Sequence, residues 1–126
     1  MRRITIALLL TATLSAPGWA EDPAPATSRY RQKELLKNWA LTVCLGNVVK
    51  DDADKHDAGV SANAYFQFSH VRVEDFAELR KLALQYASRK YSGSVPGDYN
   101  IMKCIDLFHS SELDHLATTL LRKGKS

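Results

Sequence analysis

The chain is poor in the residues that announce chemistry. It has 126 residues and only two cysteines, and no CxxC, CxxCH or Cys/His cluster occurs. That excludes the usual zinc and haem-attachment frameworks. GxSxG, SxxK and HExxH are also missing, so the common nucleophilic and zinc-peptidase signatures are absent. No alternating apolar/polar strand pattern persists, and there is no internal repeat. After the first twenty residues no long apolar run is left. Excess charge is lacking too. Without Arg2 and Arg3, the 17 basic residues fall to 15 against 14 acidic ones. A near-neutral domain gives no case for nucleic acid or anionic membrane binding.

The first twenty residues read as an address. Arg2 and Arg3 form a basic start, residues 4–16 are apolar or small, and Gly18-Trp19-Ala20 offers small residues at −3 and −1. This is the pattern of a secretory signal peptide cleaved after Ala20. The apolar run is too short for a membrane anchor, which needs about 20 residues. The expectation is a periplasmic mature protein with no membrane attachment. Residues 21–28, EDPAPATS, read as a disordered leader, and residues 29–126 as one helical domain.

What the chain does contain is helical periodicity. In the first expected helix, residues 29–50, Leu36, Ala40, Val43, Cys44, Asn47 and Val48 share a face, with Trp39 beside it. A charged loop, DDADKHD, is expected over 51–57. A second helix follows over 58–69, carrying Ala64, Tyr65, Phe66 and Phe68, with Asp57 or Ser61 as its cap. The third spans 74–91, with Leu79, Leu82, Ala83 and Tyr86 at i, i+3, i+4 and i+7. Its acids cluster at the start and Arg89 and Lys90 at the end, as the helix dipole favours. A fourth helix is expected over 99–108 and a fifth over 112–122, with Leu113, Leu116, Ala117 and Leu120 on one face.

The stretch 100–116, NIMKCIDLFHSSELDHL, is the most informative. Ile101, Cys104, Ile105 and Phe108 stand at i, i+3, i+4 and i+7, which turns Cys104 towards a core. Cys44 is the only other cysteine and faces inward from the first helix. In an oxidising compartment the simplest reading is one disulfide between the first and fourth helices. A reactive thiol and a metal pair are the other readings. Ser111 and Asp114 stand at capping-box spacing, which expects a helix start there. The fold class is therefore all-α, a single domain of four to five helices.

Candidate chemistry is thin. Asp106-x-x-His109 and Glu112-x-x-His115 have the carboxylate-x-x-His spacing of di-iron bundles. They lie six residues apart with a helix start between them, so they cannot face each other across a bundle. His56 and His70 stand alone. No catalytic residue, metal site or cofactor is expected, and the domain reads as a non-enzyme. A binding surface is a better candidate. Ser92, Gly93, Ser94, Val95, Pro96, Gly97 and Asp98 form a Gly/Ser/Pro loop flanked by Tyr91 and Tyr99. Small residues let backbone enter a narrow cleft, and tyrosines give contact area at low entropic cost. The plainer reading is a helix–helix connection.

Trp39-Ala-Leu-Thr-Val-Cys44, the aromatics of the second helix and the block from Met102 to Asp114 resemble the type VI secretion amidase immunity proteins. The family in question is paired with the family-four DL-endopeptidase amidase effectors. The resemblance covers about residues 30–121 of this chain. It implies a small, helical, periplasmic protein that binds a cysteine-histidine amidase cutting the γ-D-glutamyl–diaminopimelate bond of peptidoglycan. It implies a homodimer in a two-to-two complex, in which one subunit grips the effector with a helix and the other occludes the cleft with a loop. Carried over by order along the chain, the loop is 92–98. The gripping helix is the third, with Glu78, Lys81, Arg89 and the flanking Tyr91 and Tyr99. The competing class is a periplasmic helical adaptor with no inhibitory role.

Overall fold

The computed structural model describes residues 25–124. The expected signal peptide, the first four leader residues and the last two residues of the tail lie outside them. A 3-10 turn over Ala26–Arg29 takes up the rest of the leader. Five α-helices follow: α1 (Gln32–Val48), α2 (Asp52–Gln67), α3 (Phe76–Ala87), α4 (Asn100–His109) and α5 (Ser111–Lys123). A second 3-10 turn, Val73–Asp75, leads into α3. Among the described residues there is no strand. No helix there is long and apolar enough to cross a membrane.

Helix α1 is the axis, and all four other helices pack on it. Leu35, Leu36, Trp39, Ala40, Val43, Cys44 and Val48 are buried along its length. All but Leu35 share one core with Leu79 and Ala83 of α3, Leu107 of α4, and Leu113, Ala117 and Leu120 of α5. Each fully buried leucine contributes about 1.5–3 kcal/mol relative to an exposed one. Phe76 closes one end of this core. It sits edge-on to Trp39 at 4.8 Å and to Phe66 at 4.9 Å between ring centroids. Asn47 leaves the predicted face. It is exposed, and its side-chain amide donates to the Val43 carbonyl at 2.7 Å. Phe68 also ends exposed, at the C-terminus of α2.

Cys44 and Cys104 form the disulfide, with Cα atoms 5.6 Å apart across 60 residues. It joins α1 to α4 as expected. In the chain-entropy description a bridge of this span adds about 4 kcal/mol by restricting the unfolded chain.

Four local expectations are corrected. The charged segment 51–57 is not a loop but the opening of α2. Asp51 caps it, its carboxylate accepting from the backbone N–H of Ala53 at 2.9 Å and of Asp54 at 3.3 Å. Asp52 and Asp54 then stand in the first turn, where the helix dipole favours acids. Neither Asp57 nor Ser61 is the cap. Likewise α5 is capped by Ser110, whose Oγ accepts from Leu113 N–H at 3.1 Å. Asp114 does not complete a capping box. It reaches α1 instead, 2.6 Å from Lys33 Nζ and 3.6 Å from Lys37 Nζ. The hydrogen bond from Lys33 holds the Asp114 carboxyl below its ordinary range against the opposing effect of burial.

The third correction concerns α4. Cys104 and Leu107 face inward, but Ile101 and Ile105 are exposed. Phe108 is half-buried, with Lys37 Nζ 4.9 Å from its ring centroid. This helix carries two apolar stripes, and only one can meet α1. Both contain Cys104, so the packing of Leu107 in the core decides between them, and the helical repeat turns Lys103, one turn before it, in with it. Finally, α3 ends at Ala87, so Arg89, Lys90 and Tyr91 belong to the connection and not to the helix.

Candidate functional site

The connection from Ser88 to Tyr99 is the longest non-helical segment between α1 and α5. Every residue from Ser92 to Asp98 is exposed, and Val95 near its middle keeps 68% of its surface. Three tethers shape it. The Tyr91 hydroxyl donates to Asp106 of α4 at 2.7 Å. The Tyr99 hydroxyl donates to the Val95 carbonyl within the loop. Asp98 lies 3.7 Å from Lys50, just past the end of α1. Tyr99 itself adopts the left-handed backbone conformation (φ 53°), which turns the chain sharply into α4. Asn100 then donates its side-chain amide to the Val48 carbonyl at 3.3 Å. A glycine at 93 suits the fold of the loop, because a Cβ there would run into the Tyr99 ring and hydroxyl.

The two tyrosines thus point back into the protein's own loop and helix. Their hydroxyls act as staples, and both rings remain half-exposed. The Asp106 hydrogen bond raises the Tyr91 pKa, and burial adds to it. Arg89 lies with its guanidinium 3.4 Å from the Tyr86 ring centroid and 3.8 Å from Glu112. Burial opposes its charge, but interactions with the Tyr91 and Tyr86 hydroxyls leave its pKa raised.

Helix α3 presents an exposed face containing Glu78, Lys81, Leu84 and Gln85. Glu78 pairs with Lys123 of α5 at 3.3 Å, and Lys81 stands exposed. The loop starts one residue past α3, so Glu78 and Lys81 are on the same element that leads into Tyr91. The carboxylates of the two suspected metal motifs are used otherwise. Asp106 accepts from Tyr91, and Glu112 accepts from Tyr86 at 2.6 Å. Among the described residues no group of three or more His, Cys, Asp or Glu is placed to hold a metal ion.

Three surface features were missed by sequence reasoning. A groove of about 620 Å³ runs between α1, α2 and the start of α3, with Trp39, Phe66 and Phe76 in its wall. Arg80 lies over Trp39 at 5.4 Å. An outward stripe of Ile101, Met102 and Ile105 stands exposed on α4. Below the loop lies a pocket of about 460 Å³ that includes Lys103. The aromatic residues of the groove were visible as helix aromatics. The alternative stripe on α4 was readable as Ile101-Met102-Ile105, but nothing local chose it over the other.

Comparison with known proteins gives these features a context. Residues 34–117 match the family described as Type VI secretion system (T6SS), amidase immunity protein. A search of curated proteins finds no match. Among solved structures, a chain of the effector–immunity system Tae4/Tai4 from Salmonella typhimurium is 45% identical, with a TM-score of 0.73 over 76% of this chain and 95% of that one. A chain of the type VI effector–immunity complex Tae4–Tai4 from Enterobacter cloacae is 27% identical, with a TM-score of 0.68 over 77% and 99%. A chain from a structure of type VI-secreted toxins and self-resistance proteins of Serratia marcescens is also 27% identical, at 0.72 over 84% and 87%. The family match runs from the first turn of α1 into α5 and takes in both cysteines and the whole loop. This chain belongs to the type VI secretion system amidase immunity family.

Proposed function

We propose that the protein is a periplasmic inhibitor, without catalytic activity of its own, that binds a peptidoglycan amidase delivered by type VI secretion. It blocks the enzyme by placing the 92–98 loop in the active-site cleft, while α3 grips the effector. The observation that carries this reading is the stapled loop. Val95 and Pro96 stand exposed on a backbone held from both sides by Tyr91, Tyr99 and Asp98. A rigid, small-residue loop enters a narrow peptide cleft with little ordering cost. The near-neutral charge of the domain leaves shape as the main source of affinity.

The loop of one subunit and α3 of another would act together in a homodimer bound to two effectors. The exposed Ile101-Met102-Ile105 stripe supports self-association, since contiguous exposed apolar surface favours an interface. The test is a titration of the cognate amidase on peptidoglycan. Hydrolysis should stop near one chain of this protein per chain of amidase, and the protein alone should release nothing. Continued hydrolysis at large molar excess would leave a helical adaptor as the better reading.

A further inference from the structure

Lys103 is the most unusual side chain in the protein. It is only 6% exposed, yet its ammonium donates to one neutral acceptor, Asn100 Oδ1, at 2.9 Å. Among the described residues it has no carboxylate partner. An ammonium has three donors, and burying it without an anion is unfavourable. It lines the pocket of about 460 Å³ below the loop, together with Arg89 and Lys90. Asp98 is the one carboxylate in that lining, and it lies 3.7 Å from Lys50 instead. The lining thus holds three cationic side chains against one carboxylate.

The plain explanation is the C-terminus of α3, which attracts cations. Three of its last four carbonyls already have donors. Leu84 O accepts from Ser88 N–H at 3.0 Å, Gln85 O from the Ser88 hydroxyl at 3.0 Å, and Tyr86 O from Arg89 N–H at 3.1 Å. Arg89 is partly engaged by Tyr86 and Glu112. Lys103 and Lys90 are not accounted for in this way. The other end of the pocket is the start of α4, where Tyr99 gives no side-chain cap.

We propose that this pocket binds one compact oxyanion of carboxylate or phosphate type, held by Lys103 with Lys90 and Arg89 at its rim. Resting on the inhibitory reading above, the oxyanion in the complex is an acidic side chain of the amidase. The pocket lies at the foot of the loop that reading places in the cleft. A free small anion is the other source of the same chemistry.

Two measurements on wild type and Lys103→Met test this. The first needs no effector. Sodium acetate and inorganic phosphate are titrated at constant ionic strength while amide NMR shifts of residues 87–91 and 98–103 are followed. Saturable shifts are expected for wild type, with affinity at least about tenfold weaker in the variant, since charge-assisted hydrogen bonds are lost. The second is inhibition of the amidase, expected to weaken about tenfold or more in Lys103→Met while the melting temperature holds or rises. Absence of saturable shifts in wild type, with inhibition unchanged in the variant, overturns the proposal. Anion binding with unchanged inhibition overturns the effector carboxylate and leaves a free anion as the occupant. If wild type itself fails to inhibit, the inhibitory reading falls, while the anion titration still decides the pocket. Should Lys103→Met not fold, Lys90→Gln on the exposed rim replaces it. A few-fold loss in both measurements is then expected, and no change in either overturns the site.

Discussion

The core around Cys44–Cys104 and the loop from Ser88 to Tyr99 are held by opposite means. In the core, Leu36, Leu79, Leu107, Leu113 and Leu120 are fully buried, and a covalent bridge joins α1 to α4. The loop buries nothing from Ser92 to Asp98 and keeps its shape through two tyrosine hydroxyls and one exposed ion pair. The first region depends on apolar area removed from water, which is large and insensitive to detail. The second depends on a few directional contacts, each worth about a kilocalorie per mole. Under the proposed function, this division means the loop can present Val95 and be altered without unfolding the domain. On that reading stability and recognition are separate, so substitutions in the two regions should fail in different assays.

The largest expected effect is on the core. Cys104→Ala should lower unfolding free energy by about 2–5 kcal/mol, as loss of a native disulfide does. Denaturant titration of wild type and variant measures it, and thiol counting of unfolded, unreduced wild type should find no free cysteine. A variant as stable as wild type would mean the helices alone hold the core.

Next comes the tip of the loop. Val95→Asp should weaken inhibition by about 2–4 kcal/mol, because an unpaired charge would enter a desolvated cleft. Its melting temperature should match wild type, since Val95 is exposed. Equal inhibition at equal stability would take the loop out of the mechanism and leave α3 as the binding element.

The smallest effect concerns the staples. Tyr99→Phe and Tyr91→Phe each remove one hydroxyl that fastens the loop. Each should cost about 0.5–1.5 kcal/mol in inhibition and less in global stability. Backbone order parameters of residues 92–98 should fall in both variants. Unchanged order would show that the backbone turn at Tyr99 sets the loop without help from the hydroxyls.

Much of this protein is legible in its amino-acid sequence. Apolar spacing locates α1, α3 and α5, because each buries one face in the core and burial imposes the helical repeat on sequence. With two cysteines in inward-facing positions, only one intramolecular disulfide is available. Glycine, proline and serine between Ser92 and Asp98 mark the loop, since these residues interrupt regular backbone. The block around Cys104 carries the family. The start of α2 is legible in principle, as Asp51 is a standard cap. A run of charges hides it, because a helix with a solvated first turn shows no apolar period there.

The rotation of α4 and the direction of the loop's side chains were decided only by tertiary structure. Ile101, Cys104, Ile105 and Phe108 form a valid helical stripe, and so does the face containing Asn100, Lys103, Cys104 and Leu107. Local periodicity treats both as candidates. The bridge to Cys44 suits both, since each contains Cys104; packing of Leu107 in the core chooses the second, exposing Ile101 and Ile105 and burying Lys103. Tyr91 and Tyr99 are likewise free, as sequence, to face a partner. Asp106 and the Val95 carbonyl turn them inward, and hydrogen-bond geometry of that kind exists only once α4 has docked and the chain has folded back beside it.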